Sequence, residues 1–183
     1  NESGQLVIFP IQPAYAIEVS PLLAETLSTN PLDYRDPLVL AINPSSVRRI
    51  VQRLGEMESG VESTNSLFRG RSPSEIPDTA AIDGLLGAVN RLLAVRFIVE
   101  DAADLSPFGL DLPRRQLILG VSGDLGINRV LLFGHDTGDG ETYAMVQGSD
   151  VVFTLAETTV ATLLKPVANS IAPATAVPTL ENP

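Results

Sequence analysis

The sequence predicts an α+β fold: an antiparallel, meandering β-sheet with one main amphipathic helix packed across a face, plus short helices in two similar strand–helix tails. Three observations predict it. Ile82, Leu85, Leu86, Val89, Leu92 and Leu93 recur at helical spacing after Asp78, which gives one long stripe that must be buried. Short apolar runs separated by polar, glycine-rich turns fill the chain after that stripe, as in hairpins. No helical stretch separates those runs, so parallel crossovers are not expected. Each stripe side chain contributes about 1.5–3 kcal/mol on burial, so the helix is expected to be the keystone of the core.

In chain order, Leu6–Phe9 and Ala14–Val19 are predicted as strands, the first near an edge because of Pro10 and Pro13. Ser20-Pro21 opens a short helix that runs through Leu27 and stops before Pro31. The turn-rich stretch from Asn30 to Pro37 introduces Leu38–Ile42. Alternation at Val47, Arg49, Val51 and Arg53 favours a strand over a helix. Gly60 is expected in the following hairpin turn, with Leu67-Phe68 as the returning strand and Gly70–Pro77 as loop. Asp78 or Thr79 caps the central helix. Strands are then predicted at Val95–Val99, Gln116–Val121, Arg129–Phe133, Thr142–Val146 and Val151–Leu155, before a last helix at Glu157–Leu164. The prolines and small residues after Val167 read as an extended tail. The expected organisation is 1–32 as the tail of a preceding repeat-like unit packed on the main domain, 33–166 as that domain, and 167–183 as a tail or linker. An internal echo motivates the first part: Ile17, Val19, Leu23, Ala24 and Leu27 match Phe153, Leu155, Thr159, Val160 and Leu163 at a constant offset of 136 positions.

Composition narrows the function. The 183 residues hold 22 acids against 12 bases, a formal net charge of -10, which repels phosphate backbones and argues against nucleic acid as a partner. With no cysteine, thiolate catalysis, iron–sulfur clusters and cysteine zinc sites are excluded. No run reaches the roughly 18 apolar residues of a membrane span. The chain starts at Asn1, so any leader or anchor is expected upstream.

Several segments occur in one order at compact spacing. They are Asn30 to Asp36, the Asp78 helix ending in Leu93-Ala94-Val95-Arg96-Phe97, the corner Phe108-Gly109-Leu110-Asp111-Leu112-Pro113, and Phe133-Gly134-His135-Asp136-Thr137 followed by Tyr143-Ala144. Together they resemble the bacterial domain-of-unknown-function family 4340, over about Asp33 to Leu164. The chain departs from that family where a tryptophan is common before the lead into the helix; it has none, and Leu67-Phe68 occupies the region. The resemblance implies tandem repetition, a membrane anchor ahead of the domain, and association with gliding-motility-type ABC transporter components. It implies an extracytoplasmic accessory module, and it supplies no catalytic residues.

Candidate chemistry is sparse. His135 is the only histidine, and its neighbour Asp136 points away from it on a strand or turn. Gly120-Val121-Ser122-Gly123-Asp124 misses the nucleophile-elbow pattern at its fifth position. Asp136, Asp139 and Glu141 around Gly138 and Gly140 are the calcium candidates, but they lack the spacing of an EF-hand loop, and a hairpin turn explains them more simply. Glu100, Asp101 and Asp104 could pair as acid and base, yet are expected to cap a helical turn at Asp101–Leu105. Arg48, Arg49 and Arg53 read as a solvated strand face, with acidic partners across an interface as the sharper alternative. No phosphate-binding glycine loop follows any strand. The expectation is a non-enzymatic module with no cofactor and with protein partners in the cell envelope, resting on Ile82, Leu85, Leu86, Val89, Leu92, Leu93, Phe108, Gly109, Leu110 and Pro113 as structural residues. The alternative is a hydrolase or small-ligand enzyme built on the His135, Asp136 and Asp139 loop.

Overall fold

The computed structural model describes residues 5–8, 16–19, 28, 30–65, 67–122 and 128–170. The chain divides into two compact units, 1–35 and 36–183. In the first, β1 (Gln5–Ile8) and β2 (Ala16–Val19) form an antiparallel hairpin. The helix expected after Ser20 lies outside the described residues. Asn30 caps a 3-10 turn at Pro31–Tyr34 by accepting from Leu32 N at 3.1 Å.

The second unit is α+β. Its strands are β3 (Leu38–Leu40), β4 (Val47–Leu54), β5 (Met57–Thr64), β6 (Leu67–Gly70), β7 (Glu75–Pro77), β8 (Leu92–Leu93), β9 (Arg96–Val99), β10 (Arg115–Val121), β11 (Asn128–Asp136), β12 (Glu141–Val146), β13 (Val152–Ala156) and β14 (Ala168–Ser170), with α1 (Thr79–Asn90) and α2 (Glu157–Leu164). Eight strands form one antiparallel sheet in the order β6-β5-β4-β10-β11-β12-β13-β9. The expected meander holds from β10 to β13. It fails at β9, which precedes β10 in sequence but pairs with β13 at the far edge, placing Phe97 beside Phe153 with their rings 6.4 Å apart, edge to face.

Residues directly opposite in an antiparallel ladder share a face. The register therefore joins Val61, Ile50 and Leu119 in one row and Phe133, Ala144, Phe153 and Phe97 in another, all buried on the side where the helices lie. On that side α2 packs on β12 and β13, and α1 packs on α2. Gln52, fully buried on β4, fixes the end of α2: its Nε2 donates to Leu163 O at 2.8 Å and Lys165 O at 2.7 Å, and its Oε1 accepts from Val167 N at 3.0 Å. The opposite side is covered over β9 and β11–β13 by the segment 100–112, whose Leu110 is buried with Leu132, Met145 and Val152.

Several elements differ from the sequence reading for physical reasons. Asp78 caps α1 by accepting from Ala81 N at 3.0 Å, but the helix ends at Asn90. Leu92 and Leu93 leave it to pair with Leu40 and Leu38 in a two-stranded ladder, where alternation buries Leu92 and leaves Leu93 42% exposed. The buried stripe is Ala81, Ile82, Leu85 and Val89, with Leu86 only half-buried. Gly60 is inside β5, and the hairpin turn is made by Gly55 at φ 64. Glycine is needed at 60 because Arg71 lies across it: a Cβ there would sit 2.7 Å from Arg71 Cδ and 2.9 Å from Ile50 O. The loop before α1 contains β7, which pairs with β14. The tail expected from Val167 thus begins with a buried residue and a strand, and residues beyond Ser170 lie outside the described ones. No helical turn forms at Asp101–Leu105; the 3-10 turn is Ser106–Phe108.

The echo of Ile17 and Val19 in Phe153 and Leu155 places both pairs on strands, β2 and β13, but the partner strands are offset differently: Val19 stands opposite Gln5 and Leu155 opposite Thr142, 137 positions on.

Candidate functional site

Two of the sequence motifs meet in space. Around the corner 105–113, the 3-10 turn closes with Phe108 N donating to Leu105 O at 3.1 Å and Gly109 N donating to Ser106 O at 3.0 Å. Asp104 Oδ1 accepts from Ser106 N at 2.9 Å, and these Ser106 hydrogen bonds hold its carboxyl below the usual range. Gly109 at φ 67 reverses the chain, so Leu110 plugs the sheet face while Leu112 points out, 83% exposed. Phe108 packs edge to face on Tyr143 at 5.2 Å.

The corner rests on a register irregularity in β11 between Phe133 and Asp136. A Cβ on Gly134 would lie 2.0 Å from Phe108 O, and a Cβ on Gly109 would lie 2.5 Å from His135 Cδ2, so each motif supplies a glycine for the other's approach. An open depression of about 460 Å³ follows beside the contact, lined in part by Asp111, Leu112, Arg114, Arg115, His135 and Asp136.

The acids around His135 are committed elsewhere. Asp136 Oδ1 accepts from Thr142 Oγ1 at 2.8 Å and from Arg115 at 3.0 Å, and the Thr142 hydrogen bond, then Arg115, holds its carboxyl below the ordinary range. Arg115 also donates to Gly134 O, tying the bulge to β10. Glu141 pairs with Arg96 Nε at 3.0 Å, and Asp139 lies 3.9 Å from the same guanidinium. The three calcium candidates are therefore split between two arginines, and among the described residues no group of three or more acids or histidines is placed to hold a metal ion. Thr137 closes the hairpin, with its N–H and hydroxyl donating to Glu141 O at 2.8 and 3.1 Å, while Gly138 and Gly140 adopt φ of 88° and 76°.

Sequence reasoning found His135, Asp136, Gly109 and Leu110 but missed Arg96, Arg115, Thr142 and Gln52. The signal for Arg96 and Arg115 was present in their positions at the starts of strands, opposite an acidic loop. Nothing local marks Gln52, whose partners are more than 100 positions away. Arg49 and Arg53 find acids across the β4–β5 hairpin, Glu62 at 3.6 Å and Glu58 at 2.8 Å.

Residues 69–178 match the family described as Domain of unknown function (DUF4340), a span of more than half the chain. The chain belongs to this family. The matched span holds both motifs of the Gly109–His135 contact, Arg96 and Arg115 with the acids they hold, and the whole of β9–β13, whereas Arg49, Gln52 and Arg53 lie ahead of it. No curated protein and no solved structure matches the chain. No described helix is long and apolar enough to cross a membrane.

Proposed function

We propose that the chain is a non-enzymatic binding or scaffold module of an exported, membrane-tethered envelope protein, accessory to an ABC-transporter or motility-type assembly. The observation that carries the non-enzymatic part is the commitment of the acids. A histidine-dependent hydrolase orients its imidazole with a carboxylate and aims it at a nucleophile. Here Asp136 is held by Thr142 and Arg115, and Asp139 and Glu141 lie on Arg96. The envelope setting is supported by the resemblance of the motifs, and repetition of units by the sequence echo of Ile17 and Val19 in Phe153 and Leu155. In this reading the rigid sheet presents its uncovered surfaces to other proteins.

Site-specific photo-crosslinking of the full-length protein in cells tests it. Probes at Leu67, Leu112 and Asp83 sample three surfaces. A discrete adduct from one position, recovered with the membrane fraction, is the expected result. Absence of adducts at all three, or hydrolysis of ester or glycoside substrates that is lost in His135→Ala, would overturn the reading.

A further inference from the structure

Among the described residues Leu112 is the most exposed large apolar side chain, at 83%, yet its backbone is held on both sides. Before it, Gly109 turns the chain at φ 67 and Leu110 is buried against the sheet. After it, Gly55 N donates to Arg114 O at 2.6 Å and Gln116 Nε2 donates to Pro113 O at 3.3 Å. A single exposed leucine is ordinary on a protein surface. One presented on a fixed corner loses little freedom when a partner buries it, so more of the burial energy remains as affinity. This knob also stands at the rim of a hollow, the depression of about 460 Å³ that Leu112 lines together with Gly134 and His135. Charge around the hollow is balanced. Asp111 and Arg114 flank the knob with exposed side chains that have no hydrogen-bond or ion-pair partner among the described residues, while Arg115 and Asp136 are paired with each other at 3.0 Å.

We infer that this end of the sheet is a self-association surface, on which a second copy of the chain packs about a two-fold axis with Leu112 of each copy in the hollow of the other. A two-fold contact needs a patch complementary to itself. A knob beside a hollow, with one unpaired acid and one unpaired base on either side of the knob, meets that condition: Asp111 of each copy meets Arg114 of the other. Electrostatics favours this approach over others. Two copies that each carry a formal net charge of -10 repel over most of their surfaces, whereas here two acids, Asp111 and Asp136, are matched by two bases, Arg114 and Arg115. The patch is small, so the contact belongs with weak, transient interfaces and not with obligate ones. The inference goes beyond the binding-module reading and does not depend on it, since a second copy can pair here whether or not another protein binds elsewhere.

Sedimentation velocity of the whole chain at rising concentration, in about 0.15 M salt to screen the net repulsion, tests the inference. A monomer–dimer equilibrium is expected. Leu112→Ser should weaken it about tenfold or more, whereas Leu67→Ser, on the exposed edge strand β6, should not change it. Asp111→Arg and Arg114→Asp should each weaken association, and an equimolar mixture of the two variants should recover it, because one copy then offers two bases and the other two acids. Where a reversal fails to fold by circular dichroism, Asp111→Asn and Arg114→Gln carry the same expectation of weakening. A chain that stays monomeric, or a dimer indifferent to Leu112→Ser, overturns the inference. So do reversals that fold but do not complement each other, since the pairing of Asp111 with Arg114 is then absent. Retention on phosphatidylglycerol vesicles that is lost in Leu112→Ser, with no dimer formed, overturns it by giving the knob to a lipid surface. A monomeric result leaves crosslinking from Leu67 and Asp83 able to succeed, so the two readings fail separately.

Discussion

His135 lies over Gly109 so closely that a Cβ at position 109 would come within 2.5 Å of its Cδ2, while Gly134, one residue earlier, faces the backbone oxygen of Phe108 at 2.0 Å from an added Cβ. The two contacts differ in what can give way. The His135 ring is exposed and can rotate, whereas Phe108 O belongs to a hydrogen-bonded turn. Gly109→Ala is expected to cost about 1–2 kcal/mol, mostly for holding alanine at positive φ. Gly134→Ala is expected to cost about 3 kcal/mol or more, because backbone must move. Urea unfolding of both variants checks the order; equal losses would mean that the corner does not press on the β11 bulge.

Leu85 is fully buried and Leu86 only half so. Leu85→Ala is expected to cost about 2–5 kcal/mol and Leu86→Ala less than half of that. Leu85→Asp should abolish cooperative unfolding by burying an unpaired charge, whereas Leu86→Asp should remain folded. A soluble, cooperatively folded Leu85→Asp protein would contradict the buried position of α1.

Gln52→Leu keeps the volume but strands Leu163 O, Lys165 O and Val167 N. At about 1–3 kcal/mol for each buried unpaired group, a loss of about 3 kcal/mol or more is expected. Amide exchange at Val167 should rise more than exchange at Leu119 if the loss is local to the junction between α2 and β14.

Glu58 is held below its ordinary value of 4.5, first by the Arg71 hydrogen bond and then by that of Arg53. Because the folded value is the lower one, the carboxylate contributes stability above the unfolded value, and that contribution is lost as pH falls through the folded value. Asp136 acts in the same direction through Thr142 and Arg115. Glu58→Gln should therefore lessen the fall in stability on acidification from just above 4.5 downward. Unfolding free energies measured across that window, for wild type and variant, decide the point.

Local patterning made much of this fold legible. The period of α1, the alternation of β4 and the glycine-rich turn after Asp136 each act within a few residues, and each appears close to its predicted place. What escaped was set by partners far along the chain. Leu92 and Leu93 fit a helical stripe until β3 offers a ladder. Gly60 resembles a turn residue until Arg71 is seen to need the space, and Gln52 carries no local mark of its three partners. The candidate site divides the same way: His135 and Asp136 stood out by rarity and motif, while the arginines that hold the acids are defined only once the strands have paired.

The placement of β9 at the far edge bears on how the chain is made. A ribosome delivers β4, β5 and β6 early, and they can pair as soon as they emerge. Phe97 must wait for Phe153, by which time β10, β11 and β12 have been synthesised between them. The last edge of the sheet therefore closes late, and a nascent chain arrested before Val152 would hold an unsealed apolar row for as long as the arrest lasted.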